Sequence, residues 1–343
     1  MLFTNKDINE IGKKEWNKFC KLVGDFSPFT SYELIEYYSA FKGVKNISFA
    51  VFNEAHNVVA TVPLATYKNL ISFGDQPCPS ITIDLNLSNS IRKKIYSYIF
   101  LEIKKIMSKK KVISYLFCKH AFQATFVKDS YFSLDNFFEH YQFSKIHNIG
   151  NTLILNLQEN EIDIFDNMSK YHKKNIKKIG AKTLNFVNSL DIDEFKIQQL
   201  FDNFKKQHFL TAKKITRPKK TWDLMLECLK NKNSCLTVAK LGEKNISFLY
   251  VGFNEYFAFG WSQVNDKTYE KEYMPRHFLE WETIKYLKNK GFKYYDIGES
   301  YAWHQKDISD KQYSISDFKK KFGAKLLPKF VYKLKINEIN NLI

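Results

Sequence analysis

Apolar residues recur along this chain with two alternating periods. Trp16, Phe19, Cys20 and Val23 stand at helical spacing and predict an amphipathic helix over 15–23. A second helix is expected over 31–38, with Ser31 as its N-cap. Runs rich in Val, Phe and Thr at 47–52 and 58–66 flank the polar residues 53–57 and read as a β-hairpin. A long helix is expected over 90–108, then a buried strand over 112–118, with 73–79 as a Gly/Pro loop. The second half repeats the rhythm: a strand at 152–157, a helix at 162–178 ending near Gly180, a strand at 183–187, and helices at 193–207 and 219–230. Three β runs follow at 234–241, 246–253 and 256–261, then a helix over 275–289 opened by Pro275 and stopped by Gly291, and a strand at 292–297. The pattern predicts an α/β protein with mixed sheets. At roughly 150 residues per domain, 343 residues make two.

Composition narrows the classes. With 44% hydrophobic and 26% charged residues the chain is globular rather than disordered. No apolar stretch approaches the ~20 residues of a membrane span, the run at 47–65 being broken by Asn53, Glu54, His56 and Asn57. The first residues lack a basic segment followed by an apolar one, so a cytoplasmic location is expected. Cys20, Cys78, Cys118, Cys228 and Cys235 are scattered without a Cys-x-x-Cys pair, and the histidines show no paired spacing. Reduced, mostly buried thiols and no bound metal are therefore expected. The formal charge of +17 favours polyanions such as RNA, nucleotide phosphates or anionic lipid. Only Arg92, Arg217 and Arg276 are arginines, which argues against base-specific recognition of DNA. The lysine excess, accompanied by many Asn, Ile, Phe and Tyr, is also the usage of an AT-rich genome.

Four segments of the second half carry a resemblance. The first is a strand, a helix and a basic run, from Asn156-Leu157 to Met168-Ser169-Lys170-Tyr171-His172-Lys173-Lys174-Asn175-Ile176-Lys177-Lys178. The second is Ile215-Thr216-Arg217-Pro218, and the third runs from Ala258-Phe259-Gly260-Trp261-Ser262 through Tyr273-Met274-Pro275-Arg276-His277-Phe278 to Tyr295-Asp296-Ile297-Gly298. The fourth is Phe318-Lys319-Lys320-Lys321-Phe322-Gly323. In this order and spacing they resemble the FemABX family of aminoacyl-tRNA-dependent transferases and related two-domain acyltransferases of the GNAT fold. The β-β-β-α-β order of the second half is similar to the core order of GNAT domains, and the first half has a compatible layout.

The resemblance implies two GNAT-like domains, 1–150 and 151–326, with a C-terminal segment at 327–343 returning to the first. It implies an acyltransferase that joins an aminoacyl or acyl group to an amine of a cell-envelope precursor, such as one of peptidoglycan. The donor would be aminoacyl-tRNA. A donor of acyl-coenzyme A or acyl-carrier protein, acting on a nucleotide- or lipid-linked amino sugar of surface polysaccharide, is the rival. No bound cofactor is expected, and peripheral association with the inner membrane face is compatible with a lipid-linked acceptor. A non-catalytic RNA or anionic-surface binding protein is a third reading.

Acyl transfer needs an oriented nucleophile, a route for its proton and positive charge near the developing oxyanion. Lys319 matches the lysine that, by resemblance, supplies that charge. Glu299 and His304, with Asp296 at a strand end, are candidates for the proton acceptor. Arg217 before Pro218 and Arg276 after Pro275 stand at helix starts, where a guanidinium and backbone N–H groups can hold phosphate. Residues 273–278 contain no glycine, which disfavours close backbone approach to a coenzyme A pyrophosphate. Trp261, Tyr273 and Phe318 are candidate pocket residues. Six lysines between Lys170 and Lys182 form either a tract for RNA phosphates or a solvated helix face. His172 and His208 read as surface or helix residues rather than catalysts.

Overall fold

A computed structural model describes residues 2–23, 27–119, 146–179, 184–302 and 308–339. The chain divides into two compact units, one formed by 1–150 with 328–343 and the other by 151–327.

The first unit begins with strand β1 (Thr4–Asp7) and helix α1 (Ile8–Leu22), which is broken at Gly12 by a non-helical backbone (φ +73, ψ 163): Asp7 opens the first piece by accepting from the Asn9 N–H at 2.9 Å, and the expected apolar stripe lies on the second. Helix α2 (Tyr32–Ser39) follows, with the Ser31 side chain accepting from Leu34 N–H as expected. Strands β2 (Lys45–Asn46), β3 (Phe49–Phe52), β4 (Val58–Val62), β5 (Ala65–Tyr67), β6 (Leu70–Ile71), β7 (Cys78–Pro79) and β8 (Thr82–Ile83) precede helix α3 (Asn89–Lys110) and strand β9 (Ser114–Lys119). β3 and β4 form the expected hairpin within an antiparallel sheet of order β1-β3-β4-β8. The 58–66 run is two strands, since β5 pairs with β2 and β6 instead. The Gly/Pro segment 73–79 is not wholly a loop: β7 pairs in parallel with β9. Strand β10 (Ile146–Asn156) leads into the second unit, and the last strand, β16, is described below. The core joins Trp16, Ile95, Ile99 and Ile103 to Phe49, Val62, Phe117 and Tyr332.

In the second unit the single helix expected over 162–178 is two, α4 (Glu161–Asp166) and α5 (Lys170–Ile179). Met168 turns into the core, and Ser169 restarts the helix, its hydroxyl accepting from His172 N–H at 3.2 Å. Strand β11 (Leu184–Asn188), helices α6 (Glu194–Ala212) and α7 (Lys219–Lys230), and strands β12 (Ser234–Leu241), β13 (Lys244–Phe253) and β14 (Phe257–Asn265) follow. Then come a short helix α8 (Glu270–Tyr273), helix α9 (Pro275–Asn289), strand β15 (Tyr294–Glu299), helix α10 (Asp310–Lys320) and strand β16 (Lys325–Lys335). Residues 330–335 of β16 pair antiparallel with β9.

The sheet order within this unit is β11-β12-β13-β14-β15-β10. Neighbouring residues of β13 point to opposite faces. Leu249 and Val251 meet Leu279, Ile284 and Leu287 of α9, whereas Phe248 and Tyr250 meet Phe204 of α6. A parallel pair needs a crossover, and α9 supplies the one between β14 and β15.

A candidate active site where two parallel strands part

β14 and β15 pair over three residues only, Phe257 with Tyr294, Ala258 with Tyr295 and Phe259 with Asp296. Beyond that level each strand follows its outer neighbour through a bulge. The β13/β14 register shifts so that Tyr250 faces Ser262 and Val251 faces Gly260, leaving Trp261 extra. The β10/β15 register shifts so that Leu153 faces Gly298 and Ile154 faces Asp296, leaving Ile297 extra. Bulges bend strands and end pairing. Two at the same level open a gap between the strands.

Asp296 holds the β15 side of this gap. Its carboxylate is buried and accepts from the Thr152 hydroxyl at 2.7 Å and from Gly298 N–H at 2.7 Å. That turn sets Gly298 at φ +130, and a Cβ there would overlap the Lys319 Nζ. The glycine is what admits the lysine. Lys319 reaches the position from the last turn of α10, whose Ser309 forms a capping box with Gln312. It is half-buried and, among the described residues, its ammonium enters no hydrogen bond or ion pair, unlike Lys321, which pairs with Asp317 at 2.5 Å.

The segment after Lys319 is fastened to the α4/α5 turn. Ser169 N–H donates to Lys321 O at 2.9 Å, and a Cβ on Gly323, at φ +83, would lie 2.9 Å from the Asn167 backbone. His172 is not a surface residue. It is 1% exposed, bonds the Phe318 carbonyl through Nε2 at 3.0 Å, and packs its ring 4.5 Å from Phe322 and 4.6 Å from His277. Burial holds the His172 imidazole down to about 4; burial and then the neighbouring His172 hold His277 down to about 3. Both are neutral at physiological pH and serve as wedges under the Phe318–Phe322 segment.

Sequence reasoning missed Glu280 and Tyr295. Tyr295 donates its hydroxyl to Glu280 at 2.8 Å, and both are buried. Burial pushes the Glu280 carboxyl up, while the hydrogen bond from Tyr295 and the charge of Lys319 pull it part of the way back. A signal was present: Glu280 shares one helical stripe with the buried Thr283, Ile284 and Leu287, where a charge is out of place.

The other candidates are distributed. Arg276 pairs with Glu270, and its guanidinium lies 4.7 Å from the Phe318 ring centre, so these two predicted residues do meet beside Lys319. Arg217, half-buried, stacks 4.6 Å over the ring of Trp222 in the first turn of α7 and donates to Met225 Sδ and Ser262 Oγ at 3.1 Å each. Ser262 also bonds Nε2 of the half-buried His208 at 2.9 Å, and burial and then Arg217 hold the His208 imidazole down to about 4. Trp261 packs 5.4 Å from both Phe259 and Tyr250. Tyr273 stands 6.0 Å from Tyr269 on α8, and Glu299 is exposed and accepts from the Tyr301 hydroxyl. His304 and Lys182 lie outside the described residues.

All five cysteines are buried, and none is joined in a disulfide. No described helix is long and apolar enough to cross a membrane.

Neither a family model nor a curated protein matches the chain in sequence. Solved structures do match its fold. FemX superposes with a TM-score of 0.68 at 13% identity, covering 100% of both chains. L-PGS from Bacillus licheniformis gives 0.58 at 10% identity over 94% of this chain and 91% of its own. A tandem GNAT protein from the clavulanic acid biosynthesis pathway gives 0.50 at 9% identity over 98% of each. The chain therefore has the FemABX-like, two-domain GNAT fold.

Proposed function

We propose that this protein is an acyltransferase that forms an amide bond, moving an aminoacyl group onto an amine of a cell-envelope precursor. The observation that carries the reading is the Lys319 ammonium, set against Gly298 where β14 and β15 part and committed to no ion pair among the described residues. In aminolysis of an ester, the amine nitrogen bonds the carbonyl carbon and the carbon–oxygen bond breaks. The nitrogen gives up one proton and the leaving oxygen takes one. Charge develops on the carbonyl oxygen, where a fixed cation is worth most. The fold likeness to FemX and to L-PGS supports this class.

The α9 start favours a donor other than coenzyme A. Met274 holds an αL conformation, and the N–H groups of His277 and Phe278 both turn back to the Met274 carbonyl, at 3.0 and 3.4 Å. With no glycine there and Arg276 tied to Glu270, the turn lacks the open amides that cradle a pyrophosphate. Lys173 and Lys177 on α5, meanwhile, are engaged with Asp166 and the Phe165 ring, which leaves fewer lysines of that run for RNA phosphates.

The test is donor discharge. Purified protein is incubated with total charged tRNA, and separately with an acyl-coenzyme A mixture, each with a small-molecule extract, and deacylation is followed by mass spectrometry. Discharge of tRNA, lost in Lys319→Ala with the fold retained, is the expected result. Discharge of coenzyme A alone would move the protein to the amino-sugar acylation class. Discharge of neither, or normal turnover in Lys319→Ala, overturns the proposal.

A further inference from the structure

The turn that joins α6 to α7 presents large apolar side chains to solvent. α6 buries Ile197, Leu200, Phe201 and Phe204 along one stripe, and its last turns are braced against α7 by the His208 and Trp222 rings, 5.5 Å apart. Phe209 and Leu210 lie off that stripe and are 57% and 56% exposed, and Ile215, in the segment 213–218 between the helices, is 81% exposed. The turn is nonetheless fixed. Lys213 closes α6 in an αL conformation, its N–H donating to the Phe209 carbonyl at 2.8 Å, and Arg217 is stacked on Trp222. Single exposed apolar side chains are ordinary, but three within seven residues, at one end of a helix pair, are not scattered.

The charge around them is of one sign. The whole chain has 53 basic and 36 acidic residues, whereas residues 203–222 hold seven basic residues and no acidic one. Lys205 and Lys206 stand one helical turn before Phe209 and Leu210 on the same side of α6, and Lys213, Lys214 and Lys219 flank Ile215. All five are exposed and, among the described residues, none of their ammonium groups enters an ion pair. A second copy of the chain would bring the same charge to the same place. A polyanion such as RNA would pair with the lysines and leave Leu210 and Ile215 in water. An anionic bilayer takes both, since its phosphates lie at the level of the ammonium groups and its acyl region begins just beneath.

We infer that the turn joining α6 to α7 is a docking site for an anionic lipid surface, with Phe209, Leu210 and Ile215 entering the bilayer interface and the five lysines meeting lipid phosphate. The inference goes beyond the reaction proposed above, and its test needs no turnover.

The experiment is co-sedimentation of the full-length protein with vesicles of phosphatidylcholine alone and of phosphatidylcholine with about one-third phosphatidylglycerol, the anionic lipid setting the surface potential. Wild type should bind the anionic vesicles about tenfold or more tighter than the neutral ones. Raising the salt from about 0.1 M to about 1 M, which shortens the screening length from about 10 Å to about 3 Å, should remove most of that difference. The triple variant Phe209→Ser, Leu210→Ser, Ile215→Ser should bind about tenfold more weakly or worse and keep its salt dependence, because it keeps every charge. The quadruple variant Lys205→Gln, Lys206→Gln, Lys213→Gln, Lys214→Gln should lose about tenfold or more and most of the preference for anionic vesicles. Neither set touches the buried stripe of α6, so thermal melts should match wild type. Should the triple variant melt early, Ile215→Ser alone, outside both helices, should weaken binding about threefold. Equal binding to neutral and anionic vesicles overturns the inference, as does binding of the folded apolar variant equal to that of wild type. A third arm uses polyuridylic acid: binding tighter than to vesicles, and unchanged in the apolar variant, would overturn the inference and assign the turn to RNA.

Discussion

Replacing Gly298 by alanine separates the catalytic position of Lys319 from the stability of the fold. Gly298 sits at φ +130, so any side chain there strains the backbone whatever the space around it. Strain of this kind costs about 1–3 kcal/mol. For a domain of this size each kcal/mol lowers Tm by about 2–4 °C, giving a fall of about 2–12 °C. The added methyl also overlaps Lys319 Nζ. Because the clash is with the tip of a flexible side chain, it is relieved by moving the lysine rather than the strand. Restoring an ordinary non-bonded separation moves the ammonium by roughly 1 Å. A displacement of ~1 Å can cost about 10²-fold in rate. Gly291→Ala is the control, since Gly291 is at φ +87 with nothing within 4 Å of its Cβ position. It should show a comparable loss of Tm and normal turnover. Thermal melts and donor discharge, run side by side on wild type, Gly298→Ala, Gly291→Ala and Lys319→Ala, decide the matter. A Gly298→Ala protein that melts lower yet turns over like wild type would refute the placement of Lys319 as catalytic.

Other expectations follow from the same geometry. Gly323→Ala should cost more stability in urea denaturation than Gly291→Ala, because its methyl would meet the immovable Asn167 backbone at 2.9 Å; equal losses would show that the α4/α5 turn yields. Arg217→Ala should destabilise by about 2 kcal/mol through loss of the stack on Trp222 and the bond to Ser262, and Arg217→Lys should not restore it, since lysine lacks the planar fork. Unchanged urea midpoints would contradict this packing role. His172 and His208, held down to about 4, and His277, held down to about 3, remain neutral in the folded protein, while in the unfolded chain they titrate near ~6.5. Below that pH the unfolded state binds protons that the native state refuses. The stability they provide is thus full above about pH 6.5 and declines toward pH 4, by about 1 kcal/mol per pH unit for each ring. A flat urea midpoint between pH 7 and 5 would refute the buried, neutral assignment.

The sequence by itself determined those elements whose limits are written locally. Helices 219–230 and 275–289 form over the expected residues because Pro218 and Pro275 open them and Asn231 and Gly291 close them. The hairpin of β3 and β4 turns at 53–57, where Asn53 N–H bonds the Asn57 carbonyl. Lys319 was legible as a candidate from its motif, and Arg276 and Phe318 from theirs.

What the sequence did not display depends on contacts between distant residues. The helix Asp310–Lys320 buries Ser316 alone, so it has no apolar stripe to announce it. Arg217 stands at a helix start, but its stack on Trp222 and its bond to Ser262, 45 residues away, are set by the fold. His172 appeared to belong to a solvated lysine run, yet its side of α5 faces His277 and Phe322. Glu280, Tyr295 and the two bulges that part β14 from β15 became a site only when strands far apart in the chain were brought into register. Capping, turn preference and hydrophobic period act over a few residues, and so they can be read along the chain. The charge state of a carboxyl and the room for a lysine tip depend on what burial places beside them, which tertiary packing alone decides.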